Sequence, residues 1–112
     1  MIQYEIRWAK LPEPVRHRPV LLLTRTSAYA YLNRVIIVEI TTTIRAIPQE
    51  VRLGRREGLA RACVANFDQL HLVPKACLGD VLGRLAPSKE LEVKRALGHA
   101  LDWAELKALV VA

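Results

Sequence analysis

Polar and apolar residues alternate from Ile2 to Leu11, with Ile2, Tyr4, Ile6 and Trp8 on one face and Gln3, Glu5, Arg7 and Ala9 on the other. That period of two predicts a half-buried strand. Pro12-Glu13-Pro14 ends it, because proline has no N–H to give a ladder. Pro19 to Thr24 is a short apolar run and predicts a buried central strand. Ser27 to Leu32 fits one helical turn with Ser27 as its cap. Val35-Ile36-Ile37-Val38-Glu39-Ile40 is dense in β-branched residues and is the strongest strand signal in the chain. Thr41-Thr42-Thr43 follows it. Gln49 to Leu53 and Ala62 to Phe67 read as further strands around the loop Gly54-Arg55-Arg56-Glu57-Gly58. Asp68 to Val73 continues the sheet until Pro74, and Leu78 to Leu85 has no deciding period.

From Ser88 the period changes. Val93, Ala96, Leu97, Ala100, Leu101 and Ala104 follow the spacing of one helical face, with Glu90, Glu92, Lys94 and Arg95 off that stripe. The pattern predicts an amphipathic helix over about 88–104, with Pro87 near its start and Gly98 weakening it without breaking it. A tail, 105–112, extends it or frays. Several short strands followed by one helix make an α+β, mainly β domain over 1–112, a small barrel closed by the helix.

At 112 residues the chain is long enough to bury a core as one domain. The 17 Lys and Arg against 11 Asp and Glu leave a net charge of +6, which favours a polyanionic partner without bearing on the fold. No apolar run approaches the roughly 20 residues of a membrane span. The opening residues lack the apolar core of a signal peptide, so cytoplasmic residence is expected. Cys63 and Cys77 are too few and too far apart for a zinc site, and read as reduced, buried small hydrophobes. No metal and no cofactor is called for.

Three segments, taken in order, resemble the MazF/PemK family of toxin–antitoxin ribonucleases. The first joins Glu5-Ile6-Arg7-Trp8 through a loop to Arg18-Pro19-Val20-Leu21-Leu22-Leu23-Thr24-Arg25. The second is Val38-Glu39-Ile40-Thr41, a hydrophobic strand ending in a hydroxyl residue. The third runs from Cys63-Val64-Ala65-Asn66-Phe67-Asp68-Gln69-Leu70 to Gly83-Arg84-Leu85-Ala86-Pro87 and the terminal helix. The resemblance implies an SH3-like barrel of the CcdB/PemK type and a homodimer. It also implies metal-independent cleavage of single-stranded RNA at short sequence motifs, and an antitoxin whose C-terminal segment blocks the RNA groove.

Such cleavage uses the substrate's own 2′-hydroxyl as nucleophile, so the protein must stabilise a crowded phosphorane and move two protons. By the resemblance, Arg18 matches the family's arginine before proline, and arginine suits phosphate because its charge is permanent and its fork meets two oxygens at once. Thr41 matches the hydroxyl residue at the strand end, although a Thr tract there also makes turn hydrogen bonds. His17 is a candidate proton carrier, because an imidazole can act as base or acid. It neighbours Arg18, however, and adjacent residues of a strand face opposite ways, which leaves Arg16 as the companion of Arg18. Asp68 matches an acidic position used as the base in some members, and equally suits a structural acceptor in a turn. Asn66 stands where those members carry an arginine, and cannot act as an acid.

Arg16, Arg25, Arg55, Arg56, Asn66 and Gln69 are the candidates for RNA contact, the loop with Arg52, Arg55, Arg56 and Arg61 by backbone attraction. Tyr29 and Tyr31 can stack bases or pack beneath the short helix. His71 and His99 match no motif position. Two further readings compete with the ribonuclease: a CcdB-like toxin that binds DNA gyrase through the helix end near Trp103, and an RNA-binding module that has lost catalysis.

Overall fold

The computed structural model describes residues 1–111; Ala112, the last residue of the expected tail, lies outside them. Strands β1 (Glu5–Lys10), β2 (His17–Leu22), β3 (Arg34–Thr41), β4 (Glu50–Leu53), β5 (Cys63–Pro74) and β6 (Leu78–Arg84) form one sheet in the order β4-β5-β3-β2-β1-β6, all pairs antiparallel. Helix α1 (Glu90–Leu101) follows, then the short α2 (Ala104–Lys107). The mainly β fold with a C-terminal helix agrees with the expectation.

The sheet buries both faces, and the parity of each strand decides which residue goes where. Ile6, Leu21, Val38, Ile40, Ala65 and Phe67 meet Val93 and Ala96 of α1 in one core. Ala9, Val20, Leu22, Val35, Ile37 and Val73 form a second core with Tyr29 on the opposite face. Fully burying a Leu, Ile or Val contributes about 1.5–3 kcal/mol, so a slip of one residue would exchange the two sets at a prohibitive cost. Strands β4 and β6 do not pair with each other. The seam between them is filled instead by the loop after β4, where Gly58 lies against Leu82 and Gly83 of β6.

Several local expectations shift. The segments Ala62–Phe67 and Asp68–Val73 are one strand, β5, irregular where Val38 faces Leu70 but Ile40 faces Ala65. The ambiguous Leu78–Leu85 stretch is β6, recruited by pairing with β1. The short helical turn spans Thr26–Ala30 with Arg25, not Ser27, at its N-cap, and no side chain caps it. Tyr29 packs into the core while Tyr31 is exposed.

The terminal helix is shorter than 88–104. Residues Pro87–Lys89 form a tight 3-10 turn, and α1 stops at Leu101 because Asp102 adopts a left-handed conformation. Leu101 and Ala104 are therefore exposed and leave the stripe. Gly98 has a packing reason: a Cβ there would stand 2.6 Å from Leu106 Cβ, so its absence lets α2 fold back onto α1.

Candidate functional site

The register of β2 and β3 builds the site. Val20 faces Glu39, Leu21 faces Val38 and Leu22 faces Ile37. Continuing that pairing by two residues sets Arg18 opposite Thr41, just beyond the last hydrogen-bonded pair. Both line a cavity of about 410 Å³ with Trp8, His17, Thr42 and Arg61, floored by apolar residues such as Pro19, Ile40 and Leu59. The cavity opens where the helix-side core ends. Its walls are thus rigid strand ends and the loop that fills the β4–β6 seam.

His17 and Arg18 share this cavity, contrary to the expectation that their opposite faces would separate them. The cavity lies at the mouth of β2, where both faces of the strand are open. His17 stacks on Trp8 with ring centroids 4.5 Å apart and planes 15° from parallel. Arg16 is not the companion of Arg18. Its φ of 61° turns it out of the strand, and its exposed guanidinium binds Glu13 at 2.8 Å.

Thr41 serves the turn and the cavity together. Its Oγ1 accepts the Thr43 N–H at 3.2 Å, which leaves the hydroxyl proton free to be donated. The following loop is tied down by the Glu50 carboxylate, which accepts the N–H groups of Arg45 and Ala46 at 3.1 and 2.9 Å. Thr42, the next residue of the Thr tract, also borders the cavity.

The other candidates fall elsewhere. Asn66 is buried, and its Oδ1 accepts the Asp68 N–H at 2.9 Å, so it shapes the irregular stretch of β5. Asp68 is exposed on that stretch and does not line the cavity. Arg25 sits at the far end of β2, against Tyr31, whose hydroxyl it donates to. Arg55 and Arg56 are exposed on the 3-10 turn, and the arginine that their loop brings to the cavity is Arg61. Cys63 is a buried wall of the cavity; burial pushes its thiol pKa up, and the thiol donates to the Arg61 carbonyl at 3.3 Å. Trp103 is half exposed at the start of α2, away from the cavity. Among the described residues no group of three or more His, Cys, Asp and Glu could hold a metal ion, and no helix is long and apolar enough to cross a membrane.

Sequence patterning missed Glu39 and His71. Glu39 is only 3% exposed, in a strand whose neighbours are aliphatic. One carboxylate oxygen accepts from Arg18 Nη1 at 3.2 Å and the other meets His71 Nε2. Gln69 is drawn into the same cluster: with its amide turned to donate, its nitrogen lies 3.0 and 3.2 Å from the two oxygens. The available signal was a carboxylate inside the most β-branched run of the chain, which burial requires to have partners.

Residues 2–101 match the family described as PemK-like, MazF-like toxin of type II toxin-antitoxin system. The endoribonuclease MazF3 of Mycobacterium tuberculosis is 38% identical over 88 residues, which span 77% of this chain and 85% of that protein. Among solved structures, the Mycobacterium tuberculosis toxin MazF-mt6 superposes with a TM-score of 0.83 at 35% identity, covering 88% of this chain and 96% of that one. A mycobacterial endoribonuclease in complex with its cognate antitoxin superposes at 0.79 with 25% identity, over 92% of this chain and 96% of that one. With its strands, its helix and the motif around Arg18 all accounted for, the chain belongs to the PemK-like, MazF-like toxins of type II toxin–antitoxin systems.

Proposed function

We propose that this protein is a toxin endoribonuclease that cleaves single-stranded RNA at short sequence motifs, without metal, and is neutralised by a cognate antitoxin. The observation that carries this reading is the meeting of Arg18 and Thr41 in one cavity of a chain from a toxin family whose relatives are endoribonucleases. The substrate's 2′-oxygen attacks the adjacent phosphorus and loses its proton. The P–O5′ bond breaks, the leaving 5′-oxygen takes up a proton, and the product ends in a 2′,3′-cyclic phosphate. Arg18 holds the phosphate oxygens as negative charge builds on them, and Thr41 donates its hydroxyl to the same group.

His17 is the proton carrier that best fits the cavity, since its ring borders it while Asp68 does not. The stack on Trp8 fixes the imidazole plane without taking up its ring nitrogens. Arg61 adds positive charge on the far wall, where the RNA backbone would pass. The protein works in the cytoplasm as a homodimer, like the assembly that the family resemblance implies.

Brief induction of the protein followed by sequencing of RNA ends tests the proposal. Cleavage should continue in EDTA and leave cyclic phosphate ends, and Arg18→Ala should slow it on the order of 100- to 1000-fold. Undiminished cleavage by purified Arg18→Ala would move the active site elsewhere, and tight binding of RNA that is never cut would mark a module without catalysis.

A further inference from the structure

We propose that Glu39 is the positioning residue of Arg18, and that Gln69 and His71 hold Glu39 in turn. The inference rests on Arg18 being the phosphate-binding charge of the site. A carboxylate buried this deeply is unfavourable unless its oxygens are partnered, and donors from two strands converge on it. Arg18 comes from β2, at 3.2 Å. Gln69 and His71 come from β5, two residues apart on the same side of that strand.

The register explains why Glu39 reaches Arg18. Glu39 sits opposite Val20, so Arg18 is its diagonal neighbour on the same face, within range of a long side chain. An unrestrained arginine samples many rotamers, whereas a guanidinium held through Nη1 keeps its remaining N–H groups in a fixed plane. Among the described residues this is the one hydrogen bond of the Arg18 side chain, which leaves those N–H groups for a phosphate in the cavity.

Glu39 itself does not border that cavity. With His71 it lines a separate hollow beside Leu11, Val15 and Leu70. It therefore acts on a substrate through Arg18, as a positioning residue and not as a catalytic one. His71 occupies the second carboxylate oxygen, so that Glu39 cannot swing to grip the guanidinium with both oxygens and draw it out of the cavity.

A double-mutant cycle on cleavage of a mixed-sequence single-stranded RNA tests this, with wild type, Glu39→Gln, Arg18→Lys and the double variant checked for thermal unfolding. Glu39→Gln should lower kcat about 100-fold with little change in KM, the loss that a misplaced catalytic group typically causes. In the Arg18→Lys background the same change should cost less than about threefold, because residues that act as one unit are not additive. His71→Gln, at an exposed position that tolerates substitution, should cost about 10-fold and keeps the test open if Glu39→Gln does not fold.

Equal losses in both backgrounds, or unchanged or faster cleavage by the Glu39 and His71 variants, would overturn the inference while leaving Arg18 in place. Wild-type cleavage by Arg18→Ala would instead remove the assignment of Arg18, and the inference with it.

Discussion

Gly58 and Gly83 meet backbone to backbone: a Cβ on either would stand 3.1 Å from the Cα of the other. The same Cβ on Gly83 would lie 2.1 Å from the Glu57 carbonyl oxygen, and one on Gly58 2.1 Å from that of Leu82. This contact is how the loop after β4 fills the seam that β4 and β6 leave unpaired. Gly58, at a φ of 90°, also needs the left-handed freedom that glycine has. Since Gly58 to Arg61 and Leu82 border the cavity, the seam and the site are one construction.

Gly83→Ala should therefore destabilise the fold by about 1–3 kcal/mol, the range for overpacking, because backbone and not a flexible side-chain tip must give way. Chemical denaturation would measure it. Cleavage by the folded fraction should fall as well, since the loop carrying Arg61 is displaced.

Lys89 and Glu57 tie that loop to the start of α1. Glu57 is buried; its Oε1 accepts the Gly54 N–H at 2.7 Å and faces Lys89 Nζ at 3.3 Å, while Lys89 also donates to the Arg52 carbonyl at 2.7 Å. Removing one partner of a buried pair leaves an uncompensated charge. Lys89→Met should cost about 3 kcal/mol in thermal or urea unfolding. Adding Glu57→Gln should recover much of it, since the amide oxygen still accepts from Gly54.

Arg61 should contribute to RNA affinity without reading sequence. Neutralising one backbone contact reduces the salt slope of binding to single strands by about 0.7 per charge. Titrations of RNA with Arg61→Ala at several salt concentrations should show that shallower slope, with the cut motif unchanged. The same substitution at Arg25, at the far end of β2, should leave the slope as it is.

Cys63 should resist alkylation at mildly alkaline pH, and Cys77, less buried, should react first; mass spectrometry after timed iodoacetamide treatment distinguishes them. Burial raises the Cys63 thiol pKa, so the fold favours the protonated form. Its contribution to stability is complete below the ordinary thiol range and is lost as pH rises through the raised value. Unfolding curves should accordingly weaken at the alkaline end, and Cys63→Ala should flatten that dependence.

The order and kind of the main elements lay open in the sequence, because both follow from local chemistry. Five strands, β1 to β5, arose from stretches with period two or dense β-branching, two of which fused into β5. The 3.6-residue stripe around Val93 and Ala96 became α1, whereas β6 carried no deciding period and was recruited by pairing with β1. The placing of Arg18 near the start of β2 and of Thr41 at the end of β3 was equally legible, since each follows from its own strand. What the sequence could not show was which strand ends come together.

That depends on register, which is set by packing two cores on opposite faces of one sheet. Register places Thr41 opposite Arg18, brings Arg61 and not Arg55 or Arg56 to the cavity, and lets His17 face the same space as its neighbour. It also sets Glu39, Gln69 and His71 side by side from strands some 30 residues apart, which no local pattern encodes. Local periodicity determines how each segment bends and which face it buries. Only the tertiary structure, by minimising exposed apolar surface and pairing the one carboxylate that a buried strand carries, decided who stands beside Arg18.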